Sequence, residues 1–148
     1  MLNYNSVIKN EINQGSISVK EISPVIKINL RGKKRDFLTN VGKNLNMILP
    51  TEANTSTTSD KLTAIWLSPD EWMIISNELA SKDTNKSDLY EMLFNSISKK
   101  NLGAVIDVTD QFVQLELKGE NVYEIFSAGS PLILMNLKKK KDQQLRQF

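Results

Sequence analysis

Ala64-Ile65-Trp66-Leu67-Ser68-Pro69-Asp70-Glu71-Trp72-Met73-Ile74-Ile75 decides how this 148-residue chain folds. Two apolar arms flank a four-residue turn in which Pro69 presets φ at the second position. Ser68 suits the first position and Asp70 can bond the local backbone. The arms read as a β-hairpin that holds both tryptophans of the chain. Ala64, Trp66, Trp72 and Ile74 share one parity, and Ile65, Leu67, Met73 and Ile75 the other. A hairpin with one wet face alternates apolar and polar residues, so this one is expected to be covered on both sides. One face should meet the chain's own helices.

Upstream of the hairpin, Ile17–Ile22 and Val25–Arg31 read as two strands broken at Ser23-Pro24. In the second, Ile26, Ile28 and Leu30 alternate with Lys27, Asn29 and Arg31, the period of a half-buried strand. A helix is expected over 34–47, with Phe37, Leu38, Val41 and Leu45 as its apolar stripe, and a solvated loop over 50–60. Downstream, a helix over 87–101 carries Leu89, Met92, Leu93 and Ile97. Lys99 and Lys100 complement its carboxyl end before Gly103. Strands follow at 104–108 and 112–117, the latter with Val113, Leu115 and Leu117 inward. A short helix over 119–128 stops at Gly129, with Pro131 beyond. Strand-strand-helix thus occurs three times, which predicts an α+β fold of antiparallel strand pairs, each followed by a helix. The domain is expected over 16–132, between a flexible polar lead-in (1–15) and a basic, disordered tail (133–148).

Composition narrows the function. No apolar run is long enough for a membrane span, and no signal-peptide core lies near Met1, so a cytoplasmic location and no membrane partner are expected. The chain has neither cysteine nor histidine. Thiolate nucleophiles, Ser-His-Asp triads and histidine general bases are therefore excluded, and no activity is expected of the chain alone. Removing the five basic and one acidic residues of 138–146 leaves 14 basic against 16 acidic, so the body is not a nucleic-acid-binding surface. A small nucleic-acid binder using the basic tail is the remaining version of that idea.

Two carboxylate groupings are left. Asp70 and Glu71 sit in the hairpin turn, and Asp107 and Asp110 frame Asp107-Val108-Thr109-Asp110. Either could bring acids together for chemistry. Equally, Thr109 and Asp110 are ordinary turn formers. The turn at Gly119 that opens a helix is a weak anion-binding signal.

Three segments taken in order carry a family resemblance. Trp66-Leu67-Ser68-Pro69-Asp70-Glu71-Trp72 resembles the W-L-G-P-D-E-W signature of the gamma subunit of heterotetrameric sarcosine oxidase. Asp107-Val108-Thr109-Asp110 resembles that family's D-V-S-D segment. Leu117-x-Gly119 followed by Gly129-Ser130-Pro131-Leu132 resembles its L-x-G and G-C-P-L segments, with Ser130 in place of the cysteine. The resemblance implies a fold like the folate-binding domain of aminomethyltransferases and a role as a non-catalytic accessory subunit. The complex oxidatively demethylates sarcosine to glycine and passes the one-carbon unit to tetrahydrofolate. It implies the alpha subunit as direct partner, with beta and delta completing the heterotetramer. FAD, FMN, NAD, zinc and tetrahydrofolate sites would belong to those subunits, with no catalytic, cofactor-binding or metal residue in this chain. Trp66, Pro69, Asp70, Glu71, Trp72, Asp107, Asp110, Gly119, Gly129 and Pro131 are then the motif and interface candidates. By the same comparison, about 30 or more residues of the family domain are expected to be missing after Leu132, on the ordinary size of two strands and a helix. The alternatives are a stand-alone folate-binding module related to iron–sulfur maintenance proteins, whose K-G-C-Y-x-G-Q motif is absent, and a true aminomethyltransferase, which normally needs more than twice this length.

Overall fold

Proline at position 24 separates two strands that the chain order would otherwise pair. The computed structural model describes residues 5–22, 24–59, 61–79 and 87–129, so the expected tail over 133–148 lies outside the described residues. Strands β1 (Ile12–Gln14), β2 (Ile17–Ile22) and β3 (Val25–Arg31) lead into helix α1 (Arg35–Leu45). Next come β4 (Ser56–Thr58), β5 (Leu62–Ser68), β6 (Glu71–Leu79) and helix α2 (Ser87–Leu93), which continues as a π-helical turn over Phe94–Ser98. Strand β7 (Ala104–Asp107), a 3₁₀ turn over Thr109–Gln111, β8 (Gln114–Gly119) and helix α3 (Val122–Gly129) complete the described chain.

The α+β class and the antiparallel pairing hold, but two of the three expected strand pairs do not form. Only β5 and β6 form the expected hairpin. β2 pairs with β8 in a three-stranded sheet ordered β1-β2-β8, whereas β3 lies between β6 and β7 in a five-stranded sheet ordered β4-β5-β6-β3-β7. Pro24 supplies no N–H donor and favours extended backbone around it, and the strands on either side of it, β2 and β3, pair in different sheets. The 3₁₀ turn separates β7 from β8 in the same way.

Compactness divides the chain where these breaks fall, into one unit over 25–109 and another combining residues 5–24 with 110–129. The first unit holds the core. Ile28, Leu30, Phe37, Val41, Ala64, Ile74, Leu93 and Ile97 are fully buried, and Trp72, Leu45 and Val105 join them. Register puts Leu30 opposite Trp72 and Ile28 opposite Ile74, and Trp66 and Ala64 continue the same face on β5. The expected helix-covered face is therefore present. On the opposite face Met73 is buried, while Ile65, Leu67 and Ile75 are half-buried.

Local expectations need correction in five places. Lys27, expected outward, is only 4% exposed, with Nζ 3.4 Å from the Val25 carbonyl. β4 forms inside the expected loop 50–60, paired with β5 through Thr57 opposite Ala64. The long second helix gives way after Leu93 to the π-helical turn, and Met92 faces solvent while Leu93 and Ile97 stay buried. Asn101, not Gly103, takes the left-handed backbone position (φ 53°) after that turn. Residues 12–14, read as lead-in, pair as β1 with β2 although all three are exposed, so backbone hydrogen bonding and not apolar pattern makes that strand.

The second unit has its own sheet and α3 but no buried residue. Val113, Leu115 and Leu117 were expected inward, yet Leu115 is 45% exposed and Val113 similarly so. Helix α3 starts three residues later than the expected 119, because Gly119 is still a strand residue opposite Ile17.

Candidate functional site

The hairpin turn is built by Ser68-Pro69-Asp70-Glu71, as its residue types dictate. The register slips by one residue between Trp66 and Ser68, leaving Leu67 as a bulge next to the turn. Ser68 Oγ donates to Asp70 Oδ1 at 2.9 Å, and the Asp70 carbonyl accepts from the Gly32 N–H at 2.9 Å. The turn is thereby tied to the end of β3. Arg31 and Lys33 approach the Asp70 carboxylate at 3.9 and 3.6 Å from largely exposed positions. The Ser68 hydroxyl bond first, then the Lys33 and Arg31 charges, hold the Asp70 carboxyl below the usual carboxylate range. Glu71 accepts a 2.8 Å hydrogen bond from the Asn29 amide on β3. The two acids of the turn therefore serve separate strand contacts and do not form an acid/base pair.

Trp72 anchors the core. Its indole is 3% exposed, Nε1 donates to the Pro50 carbonyl at 2.8 Å, and its ring lies 5.9 Å from that of Phe37, tilted by 31°. Phe37 is seated between two glycines. A Cβ on Gly32 would stand 2.6 Å from the ring, and one on Gly103 would stand 2.8 Å from the ring and 2.3 Å from the Arg31 carbonyl. Side chains at 32 or 103 are incompatible with that packing. Trp66 is half-buried against the same core, and its backbone N–H donates to the Thr55 carbonyl at 3.0 Å.

The Asp107-Val108-Thr109-Asp110 segment is a local lock. Asp107 Oδ1 accepts from the Thr109 N–H at 2.9 Å, the side-chain-to-backbone turn that short acids favour. Thr109 is buried, and its Oγ1 accepts from the Lys27 N–H at 3.0 Å, while the Val108 N–H bonds the Lys27 carbonyl at 3.0 Å. Both backbone polar groups of Lys27 are satisfied here, which closes β7 against β3. Asp110 is exposed and begins the other unit's portion of the chain. The sequence marks Thr109 as a turn former, but not the bond it makes to the distant Lys27 N–H. The signal for it was a β-branched hydroxyl set directly after a strand, a type that can bond backbone while its methyl packs.

Gly119 is required sterically. Its φ is +141°, and a Cβ there would stand 2.1 Å from the Ser16 carbonyl. Close strand approach accounts for the glycine whose turn gave only a weak anion-binding signal. At Gly129 a Cβ would meet nothing within 4 Å. Ser130 and Pro131 lie outside the described residues. Also unforeseen were Gly32, Asn29 and the Pro50 carbonyl, each of which acts by position and carries no chemical signature. Among the described residues no cluster of acidic side chains could hold a metal ion, and no helix is long and apolar enough to cross a membrane.

No protein-family model matches the sequence, and no curated protein is significantly similar to it. Among solved structures the fold is similar to a chain of the heterotetrameric sarcosine oxidase from Corynebacterium sp. U-96, determined in complex with pyrrole 2-carboxylate. The TM-score is 0.71 at 16% identity, covering 88% of this chain and 64% of that one. At that identity the likeness establishes a related fold. This chain spans less than two thirds of the solved chain's length.

Proposed function

We propose that this chain is a non-catalytic accessory subunit of a sarcosine-oxidase-like complex, corresponding to the gamma subunit, and that it packs on an alpha-type subunit. The fold shared with a sarcosine oxidase chain carries the reading. The bonding of the motif residues supports it: Asp70, Glu71 and Asp107 are each engaged in holding strands or turns, and Trp72 is a core anchor. On this reading FAD, FMN, NAD, zinc and tetrahydrofolate are bound by the partner subunits, and the complex oxidises the N-methyl group of sarcosine. This chain then contributes a rigid hairpin-centred body together with a second, open sheet.

Co-expression with its alpha-type subunit, carrying an affinity tag on this chain alone, tests the assignment. The expected result is co-elution at constant stoichiometry, with sarcosine-dependent hydrogen peroxide formation by the assembled complex and none by the isolated chain. A large subunit that assembles fully active while excluding this chain contradicts it. Titrating the isolated chain with tetrahydrofolate separates the alternative, because saturable binding by the chain alone would favour a stand-alone folate-binding module.

A further inference from the structure

Among the described residues the outer edge of β8 is an open strand edge, and its side chains are self-complementary. We propose that two copies of this chain join through it, β8 against β8, turning two three-stranded sheets into one six-stranded antiparallel sheet. The proposal rests on strand pairing and not on the accessory-subunit reading.

β8 pairs through one edge with β2, in unbroken register from Ile17 opposite Gly119 to Ile22 opposite Gln114. Among the described residues its other edge meets no strand and its backbone makes no further hydrogen bond. β8 has no proline and no bulge and runs for six residues; of the usual protections of a free edge it carries the charges of Glu116 and Lys118. Register places Ile12, Val19 and Leu117 in a row across one face, with Leu115 beside them. Ile12 and Leu115 are exposed at 53% and 45%, while Val19 and Leu117 between them are half-buried.

The side chains choose the occupant and the register. In a two-fold pair that continues the sheet, like faces must stay on the same side, so allowed registers differ in steps of two residues. Two such registers overlap five of the six β8 residues. One sets Glu116 opposite Glu116 of the second copy, a repulsive pair. The other centres on Leu117 opposite Leu117 and sets Glu116 opposite Lys118 at both ends of the pair, with Leu115 opposite Gly119. Cross-strand pairs of opposite charge and of apolar residues favour this second register. Within one chain Lys118 already reaches Glu116 at 2.9 Å, so in the pair the two bridges become a four-charge array.

Sedimentation of the full chain over about 1–200 µM, a range suited to weak association, should show a shift from monomer to twice the monomer mass. Glu116→Lys and Lys118→Glu should each weaken the dimer at least about tenfold, since each sets like charges opposite one another. Either substitution also removes the bridge within its own chain, so mixing is the decisive step. An equimolar mixture of the two variants should form a mixed dimer, because the new lysine of one meets the new glutamate of the other. Independently of the variants, amide exchange over 114–119 in the unaltered chain should slow as concentration rises. A chain that stays monomeric throughout, a dimer indifferent to both substitutions, a mixture that stays unpaired, or exchange independent of concentration would each overturn the proposal.

Discussion

Strands β3 and β8 look alike on paper and end in different surroundings. Val25-Ile26-Lys27-Ile28-Asn29-Leu30-Arg31 and Gln114-Leu115-Glu116-Leu117-Lys118-Gly119 both alternate apolar and polar residues. Ile28 and Leu30 are fully buried, whereas Leu115 is nearly half exposed. Every buried residue of the described chain belongs to the unit over 25–109, and the unit containing β8 has none. Alternation tells which side of a strand is apolar. It does not tell whether anything lies on that side. In the core unit, α1 and the α2 segment deliver Phe37, Val41, Leu93 and Ile97 onto the sheet. In the other, α3 has no buried residue and leaves Ile125 half exposed.

Substitutions should separate the two units sharply. Trp72→Ala should lower unfolding free energy by about 3–5 kcal/mol in chemical denaturation, since it empties the centre of the core. Trp72→Phe should cost about 1–3 kcal/mol, mainly by stranding the buried Pro50 carbonyl. Gly103→Ala comes next, at about 1–3 kcal/mol or more, as its Cβ meets the Arg31 carbonyl and the Phe37 ring. Thr109→Val keeps the shape but leaves the Lys27 N–H without its acceptor, which should cost about 1–3 kcal/mol, while Thr109→Ser should cost less.

Asp70 gives a smaller, pH-dependent effect. Its carboxyl titrates below the ordinary range in the folded chain, so the ionised form favours folding. That contribution is complete above the ordinary carboxylate range and is lost as pH falls through the folded value. Asp70→Asn should flatten this acid limb in thermal melts at graded pH. The smallest effect is expected at Ile125→Lys, which should leave stability unchanged within about 0.5 kcal/mol, because the residue packs on no core. A loss at Ile125 comparable to that at Trp72 would erase the distinction between the units.

The hairpin and its turn were legible from sequence because Ser68, Pro69 and Asp70 each act through local chemistry. So was the covered face of Trp66, Trp72 and Ile74, since side-chain period follows from strand geometry. Strand partners were not legible. Pro24 marks a break, but nothing nearby tells whether the chain reverses there or continues into another sheet. The burial of Lys27 depends on β3 lying centrally between β6 and β7, a consequence of pairings up to 82 residues away. At the candidate site the acids stand out by type, yet the fold uses them for turns and strand ties. Thr109, Gly32 and Gly103, which fix the packing, carry no charge to draw notice.

On the function proposed above, the core unit packs on its own residues and the second unit, which has no buried residue among those described, is where a partner binds. Amide hydrogen exchange on the dilute chain, alone and with the alpha-type subunit proposed above, tests it most directly. Alone, amides of β3 and β6 should exchange orders of magnitude more slowly than those of β2 and β8, and binding should slow β2 and β8 while leaving β3 and β6 unchanged. Equal protection of both sheets in the free chain, or no change in β2 and β8 on binding, would contradict it.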